Sequence, residues 1–112
     1  MDIEEKIKYA NDYFLEYKRS FSFIQERRNL ILAVGFYYSV GDFGSVFSCK
    51  QALRSLGLNE EEVGDAYEGG ITAARDMIEA YELYEELLGK DKEKENIMKI
   101  AERLLKKKES YY

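Results

Sequence analysis

Apolar residues recur every three or four positions along most of the chain, which is the spacing of an amphipathic α-helix. The first such segment covers residues 3–18 and follows Asp2 and Glu5, a pair that resembles a capping box. Its apolar stripe consists of Ile3, Ile7, Ala10, Phe14 and Tyr17, widened by Tyr9 and Tyr13. The pattern predicts a first helix that packs this stripe against the core.

The second predicted helix carries apolar residues on every side. It begins at the start signal formed by Ser22 and Gln25 and runs to about Val40. From Leu30 to Val40 nearly every residue is apolar, and a helix that is apolar all round is buried all round. We therefore expect this segment to form the centre of the domain or of an oligomer.

A third predicted helix follows an interruption at residues 41–45. Asp42 is a suitable N-cap, the helix ends at Leu56, and Gly57 fits the left-handed residue that closes many helices. One face of this helix carries Val46, Cys49, Ala52, Leu53 and Leu56. That apolar face predicts that the helix packs on the core.

Two further helices complete the predicted set. Asn59 and Glu62 form a capping box that opens a long helix extending to about Leu88. The pair Gly69-Gly70 inside it indicates either a kink or the close approach of another helix. A last amphipathic helix is predicted over residues 92–108.

The composition agrees with an all-α fold. The chain has 112 residues, 46% of them apolar, and it lacks proline, which suits long uninterrupted helices. No segment shows the alternation of apolar and polar residues that is typical of a strand. We expect a single all-α domain over residues 1–112, with about five helices, assembled into a homo-oligomer through its long apolar helices.

The net charge limits the partners. A formal charge of −5 disfavours nucleic acid or an anionic membrane as the main partner, because such binding needs a basic face. The basic residues near the C-terminus, Lys106–Lys108 with Arg103 and Lys99, are interpreted as a solvated helix end. Residues 46–70 resemble a helix-turn-helix, but the second helix opens with acidic residues that would repel phosphates. We expect neither a nucleic-acid nor a membrane partner.

Three features indicate the compartment. Residues 1–20 alternate charged and apolar groups and lack the continuous apolar core of a signal peptide. The longest apolar run, Leu30–Val40, is too short to span a bilayer. The single cysteine, Cys49, cannot form an intrachain disulfide. We therefore expect a cytoplasmic protein.

The sequence contains no histidine, which limits its chemistry. The absence of histidine excludes nucleophilic catalysis by Ser-His-Asp or Cys-His groups, and it excludes most types of zinc site. Glu62-x-x-Asp65 matches half of the metal motif of the all-α nucleotide pyrophosphohydrolases, whose carboxylates bind magnesium. The second acidic pair, Glu82 and Glu85, follows on the same predicted helix instead of preceding it, so this function is a weaker alternative. We expect no metal and no cofactor.

Three stretches in order carry a resemblance to a known family. Residues 26–34 are charged and then apolar, residues 49–58 follow a glycine-marked turn, and residues 59–63 form an acidic cap. The cap opens a long helix that carries Ala66, Ala73 and Ala74. Over residues 26–88 the chain resembles the carboxymuconolactone decarboxylase and alkyl hydroperoxidase D-like family. The resemblance implies an alkyl hydroperoxidase D-like helical domain.

The redox members of that family carry two cysteines three residues apart and a histidine four residues after the second. In this chain the resemblance places the two cysteine positions at Asp42 and Ser45, the histidine position at Cys49, and an upstream glutamate position at Leu30. Every chemical position is therefore changed. The resemblance implies a family member without the thiol pair and the imidazole of a dithiol peroxidase.

Asp42, Ser45 and Cys49 are the candidate catalytic residues, and each also has a structural explanation. Asp42 serves as an N-cap with Ser45 in the first turn, and Cys49 serves as a small buried hydrophobe. The favoured hypothesis is a helical protein without peroxidase activity that binds a small ligand at this helix start or acts as an assembly module. The alternative is a retained non-redox enzyme, for decarboxylation or lactone chemistry, that uses the same three residues.

Overall fold

The computed structural model describes residues 1–88 and 101–106, and these residues are helical apart from short turns. Within them lie the helices α1 (Ile3–Arg19), α2 (Phe23–Ser39), α3 (Phe43–Ser55) and α4 (Glu60–Leu88). Residues 101–106 are also helical, within the predicted last helix over 92–108, whose other residues lie outside the described ones. The predicted all-α class is confirmed.

Polar side chains fix where the helices begin. Asp2 accepts a hydrogen bond from the Glu5 backbone N–H at 2.8 Å, which satisfies one of the unpaired donors at the start of α1. Asn59 and Glu62 form the complete capping box at the start of α4. The Glu62 N–H donates to Asn59 Oδ1 at 2.8 Å, and the Asn59 N–H donates to Glu62 Oε1 at 3.0 Å. The predicted start signals of these helices are therefore confirmed.

The chain divides into two compact units. One unit comprises residues 2–74, with α1, α2, α3 and the first half of α4. The other comprises Met1 and residues 75–112, and its buried apolar side chains among the described residues are Met77, Tyr81, Ala101 and Leu105. Among the described helices, none combines the length and the apolar character that crossing a bilayer requires.

Helix α2 lies at the centre of the larger unit. Leu30 and the run Leu32–Tyr37 are buried, as predicted for a helix that is apolar all round. Both α1 and α3 pack against α2. Burial ends at Tyr38, which is 39% exposed. Because the chain itself covers this run, its burial does not require a second subunit.

Helix α1 packs on α2 through a narrower stripe than predicted. Ala10 and Tyr13 are buried, and the Tyr13 ring stacks on Phe36 with 6.0 Å between the ring centroids. The predicted stripe also included Ile3 and Ile7, but these residues are 64% and 39% exposed. The prediction was wrong for these two residues, because periodicity identifies an apolar stripe but not how far along the helix a neighbour covers it.

Helices α2 and α4 approach each other at two glycines. A methyl group added to Gly35 would overlap the backbone carbonyl oxygen of Gly70, and one added to Gly70 would overlap the carbonyl oxygen of Ile31. A methyl group added to Gly69 would meet no atom within 4 Å. Of the two roles predicted for the glycine pair, close approach therefore applies to Gly70, and α4 continues as a helix through both residues.

We predict that the two adjacent glycines of α4 respond oppositely to the same substitution. Gly70→Ala should destabilise the fold by roughly 1–3 kcal/mol, because the added methyl group forces two backbones apart. Gly69→Ala should stabilise it by roughly 0.5–1 kcal/mol, because alanine loses less conformational entropy in a helix than glycine. Urea unfolding of both variants measures the difference. Equal stability of the two variants would contradict the backbone contact.

Candidate functional site

The turn between α2 and α3 sets the position of the candidate residues. Gly41 adopts a φ of 74°, a left-handed conformation that glycine tolerates without strain. Its N–H donates to the Tyr38 carbonyl oxygen at 3.0 Å, and the Asp42 N–H donates to the Tyr37 carbonyl oxygen at 3.0 Å. This pair of bonds is a Schellman motif, which satisfies the last carbonyls of α2. Asp42 therefore closes α2 with its backbone and opens α3 with its side chain.

Asp42 and Ser45 are joined by two hydrogen bonds. The Ser45 backbone N–H donates to Asp42 Oδ1 at 3.2 Å, and Ser45 Oγ donates to Asp42 Oδ2 at 2.6 Å. Both carboxylate oxygens thus accept a hydrogen bond from the first turn of α3. The Asp42 side chain is exposed, so this carboxylate remains in contact with water. The geometry is that of an N-cap.

Cys49 lies one turn further along α3, on the face that points into the core. Its relative exposure is 0%, between the buried residues Val46 and Leu53 of the same helix. Burial raises the pKa of the Cys49 thiol from 9.0 to about 12, and the negative charge of Asp42 contributes to the increase. At neutral pH the thiolate, which is the nucleophilic form, is therefore almost absent.

The structure brings a residue to this site that sequence reasoning assigned only to packing. Tyr37 is buried, and its hydroxyl donates to Asn11 Oδ1 of α1 at 2.6 Å. Burial raises the pKa of Tyr37, and the nearby Cys49 and Asp42 raise it further. Tyr37 lies within a long apolar run of α2, so the pattern of the sequence does not indicate that it lies near residues of α3.

An exposed group of aromatic rings flanks the same turn, and we call Tyr38, Phe43, Phe47 and Tyr67 the aromatic surface. The Tyr38 ring makes T-shaped contacts with the rings of Phe43 and Tyr67, with centroid distances of 5.9 and 5.8 Å. Lys50 Nζ lies 3.8 Å from the centroid of the Tyr67 ring, a cation–π contact. Phe43 and Phe47 are 62% and 59% exposed. These side chains come from three helices, so only the fold groups them.

The acidic residues Glu62 and Asp65, which were considered as metal ligands, do not form a metal site with other described residues. Glu62 is engaged in the capping box of α4, and Asp65 is exposed on the same helix. In the described parts of the chain, no three side chains among His, Cys, Asp and Glu are arranged to hold a metal ion. The pyrophosphohydrolase alternative gains no support from this arrangement.

Comparisons with known proteins return no relative. No protein-family model matches the chain, and neither a curated protein nor a solved structure matches it. The resemblance to the carboxymuconolactone decarboxylase-like family therefore rests on the sequence alone. Of the positions it defines, Leu30 and Cys49 are fully buried, while Asp42 and Ser45 lie at the start of α3.

We predict that Cys49 makes folding stability decrease at alkaline pH. The thiol has a higher pKa in the folded state than in the unfolded chain. Its full contribution to the free energy of unfolding is therefore present at pH values below the pKa of the unfolded chain. That contribution is lost as the pH rises towards the folded pKa of about 12. Between about pH 9 and about pH 11 the loss should be roughly 1 kcal/mol per pH unit.

The stability of wild type minus that of Cys49→Ala, measured by urea unfolding across this range, isolates the effect. Titration of the tyrosines is common to both proteins and cancels in the difference, apart from Tyr37, whose pKa is raised in part by Cys49. A difference that does not change with pH would show that the thiol is accessible to water in the folded state.

Proposed function

We propose that this protein acts by binding rather than by catalysis, as a homo-oligomeric assembly module. Its fold would be similar to that of the carboxymuconolactone decarboxylase-like family, without dithiol peroxidase activity. One observation carries the assignment of no peroxidase activity: Cys49 is a fully buried thiol with a raised pKa, at the position where the resemblance places the histidine of redox members.

Peroxide reduction by thiols requires groups that this chain lacks. The reaction needs a thiolate of low pKa and a second thiol to resolve the oxidised intermediate. The chain contains one cysteine and no histidine. A cysteine with no access to solvent meets neither a peroxide nor a small thiol, so Cys49 supports packing rather than turnover.

The remaining polar groups at the turn favour assembly over capture of a small carboxylate. Asp42 already satisfies a backbone donor of α3 and places a negative charge at the helix start. A carboxylate ligand would have to displace that cap and approach a like charge. A retained decarboxylase or lactone enzyme would depend on Asp42 and Ser45 alone, since Cys49 is fully buried. Among the described residues, the contacts of Asp42 and Ser45 are those of a helix cap.

The aromatic surface is the contact we assign to a second copy of the chain. Tyrosine and phenylalanine are enriched in the cores of protein interfaces, where large rings exclude water at a low cost in side-chain entropy. Two copies related by a twofold axis would present the same rings to each other, which makes the contact self-complementary. Phe43 and Phe47 contribute most of the exposed apolar area on α3.

We predict that the purified protein does not consume hydrogen peroxide above background in the presence of a thiol reductant. Cys49→Ser should give the same trace as wild type, because the thiol takes no part in any turnover. The measurement is the rate of peroxide loss at equal concentrations of the two proteins. Activity in wild type that disappears in Cys49→Ser would overturn the non-redox assignment.

We predict that the wild type is an oligomer at micromolar concentration and that the double substitution Phe43→Ser, Phe47→Ser converts it to a monomer. Size-exclusion chromatography with light scattering gives the two masses. The matched control is Ile3→Ser, which removes a side chain of similar exposure on α1 and should leave the mass unchanged. A monomeric wild type, or an oligomer that survives the double substitution, would refute the assembly surface.

A further inference from the structure

The turn between α1 and α2 exposes three large apolar side chains. Phe21 is 101% exposed, Ile24 is 77% exposed and Phe23 is 50% exposed. A side chain as exposed as Phe21 makes no contact that would stabilise the fold. Three such residues within four positions form a projecting apolar tip, which is unusual on a surface that meets only water.

The backbone beneath this tip is held in place by hydrogen bonds. Ser20 Oγ donates to the Glu16 carbonyl oxygen at 2.7 Å and accepts a bond from Asn29 Nδ2 at 3.0 Å, which joins α1 to α2. Ser22 Oγ accepts a bond from the Gln25 N–H at 3.2 Å and caps α2. The apolar side chains therefore project from an ordered turn in which the hydroxyl groups of Ser20 and Ser22 are hydrogen-bonded.

Basic residues flank the tip in the sequence, on α1 before it and on α2 after it. Those within residues 18–28 are Lys18, Arg19, Arg27 and Arg28. The only carboxylate in the same segment is Glu26, so the segment carries a net charge of +3 in a chain whose total is −5. Arg19 lies 3.7 Å from Glu16, whereas Arg27 and Arg28 form no ion pair within the described residues.

We propose that this turn, residues 18–28, is a docking site for an anionic lipid surface. The rings of Phe21 and Phe23 and the side chain of Ile24 would enter the boundary between headgroups and acyl chains, and the flanking cations would contact the lipid phosphates. An apolar tip supplies the insertion and the basic flanks supply the attraction, and stable anchoring commonly needs both signals.

Local charge explains why a protein of negative net charge can bind such a surface. In salt solution at physiological strength, charges beyond about 8 Å are largely screened, so the membrane responds to the residues nearest to it. Counting charge over the whole chain predicted no membrane partner, because the acidic residues elsewhere outweigh this segment. The exposed turn has the opposite sign.

A second copy of this chain is a less suitable occupant. The acidic residues of a second copy would attract the basic turn. Because the turn and the acidic surface are different parts of the chain, the contact would be heterologous and would produce rings or open filaments. A projecting tip would also need a matching cavity on that copy, whereas a lipid surface adapts to the tip. The proposal stands apart from the aromatic surface, since no residue is shared between the two.

Vesicle flotation tests the proposal directly. Wild-type protein should float with vesicles of equimolar phosphatidylcholine and phosphatidylserine and stay unbound with phosphatidylcholine alone. The double substitution Phe21→Ser, Ile24→Ser should weaken binding at least about tenfold. Arg27→Glu should weaken it at low salt, and raising the salt should reduce wild-type binding.

Matched controls separate insertion from unfolding. Ile3→Ser removes another exposed isoleucine of comparable exposure, outside the turn, and should bind vesicles like wild type. Circular dichroism should show unchanged helix in all variants, because the side chains of Phe21 and Ile24 are largely exposed. Absence of wild-type binding to phosphatidylserine vesicles would overturn the proposal, as would undiminished binding of the double variant. If the double variant instead changes the mass of the protein in lipid-free solution, the turn contacts protein and the lipid assignment is wrong.

Discussion

The direct contact between the backbones of α2 and α4 is the constraint on which the larger unit depends. Gly35 and Gly70 meet where any side chain would collide with the opposite helix. At this point α4 lies directly against α2, on which α1 and α3 also pack, and the apolar run Leu32–Tyr37 is buried within its own chain. The same crossing brings Tyr67 of α4 to Tyr38 of α2. Because these two residues are glycines, the helices can pack closely enough to form both the core and part of the exposed aromatic surface.

The α2–α3 turn shows how the same positions can serve structure instead of chemistry. Gly41 reverses the chain, and Asp42 then satisfies donors on the helix that follows. Cys49 points into the core from the second turn of α3. Each of these placements follows from ordinary requirements of helix ends and packing, and the Cys49 thiol is closed to solvent. The contacts proposed with another copy and with lipid both depend on exposed apolar side chains at the helix turns.

Local signals in the sequence were sufficient to locate helices α1 to α4. Side chains such as Asp2 and Asn59 cap helices within a few residues of themselves, so their effect can be read without the fold. The exposure of Ile3 could not be read in this way, because it depends on which helix lies opposite. The neighbourhood of Tyr37 and Cys49 likewise joins residues on different helices. The family resemblance pointed to the α3 start, but it did not indicate that Asp42 and Ser45 would satisfy each other.

The central claim is that α2 is covered by its own chain. Amide hydrogen exchange measured by NMR at two protein concentrations tests it most directly. In the Phe43→Ser, Phe47→Ser variant, which we expect to be monomeric, the amides of Leu32–Phe36 should exchange only through global unfolding, with a protection that does not depend on protein concentration. Exchange through a local opening of much lower free energy, or protection that rises with concentration, would show that a second subunit covers α2 and would contradict the account.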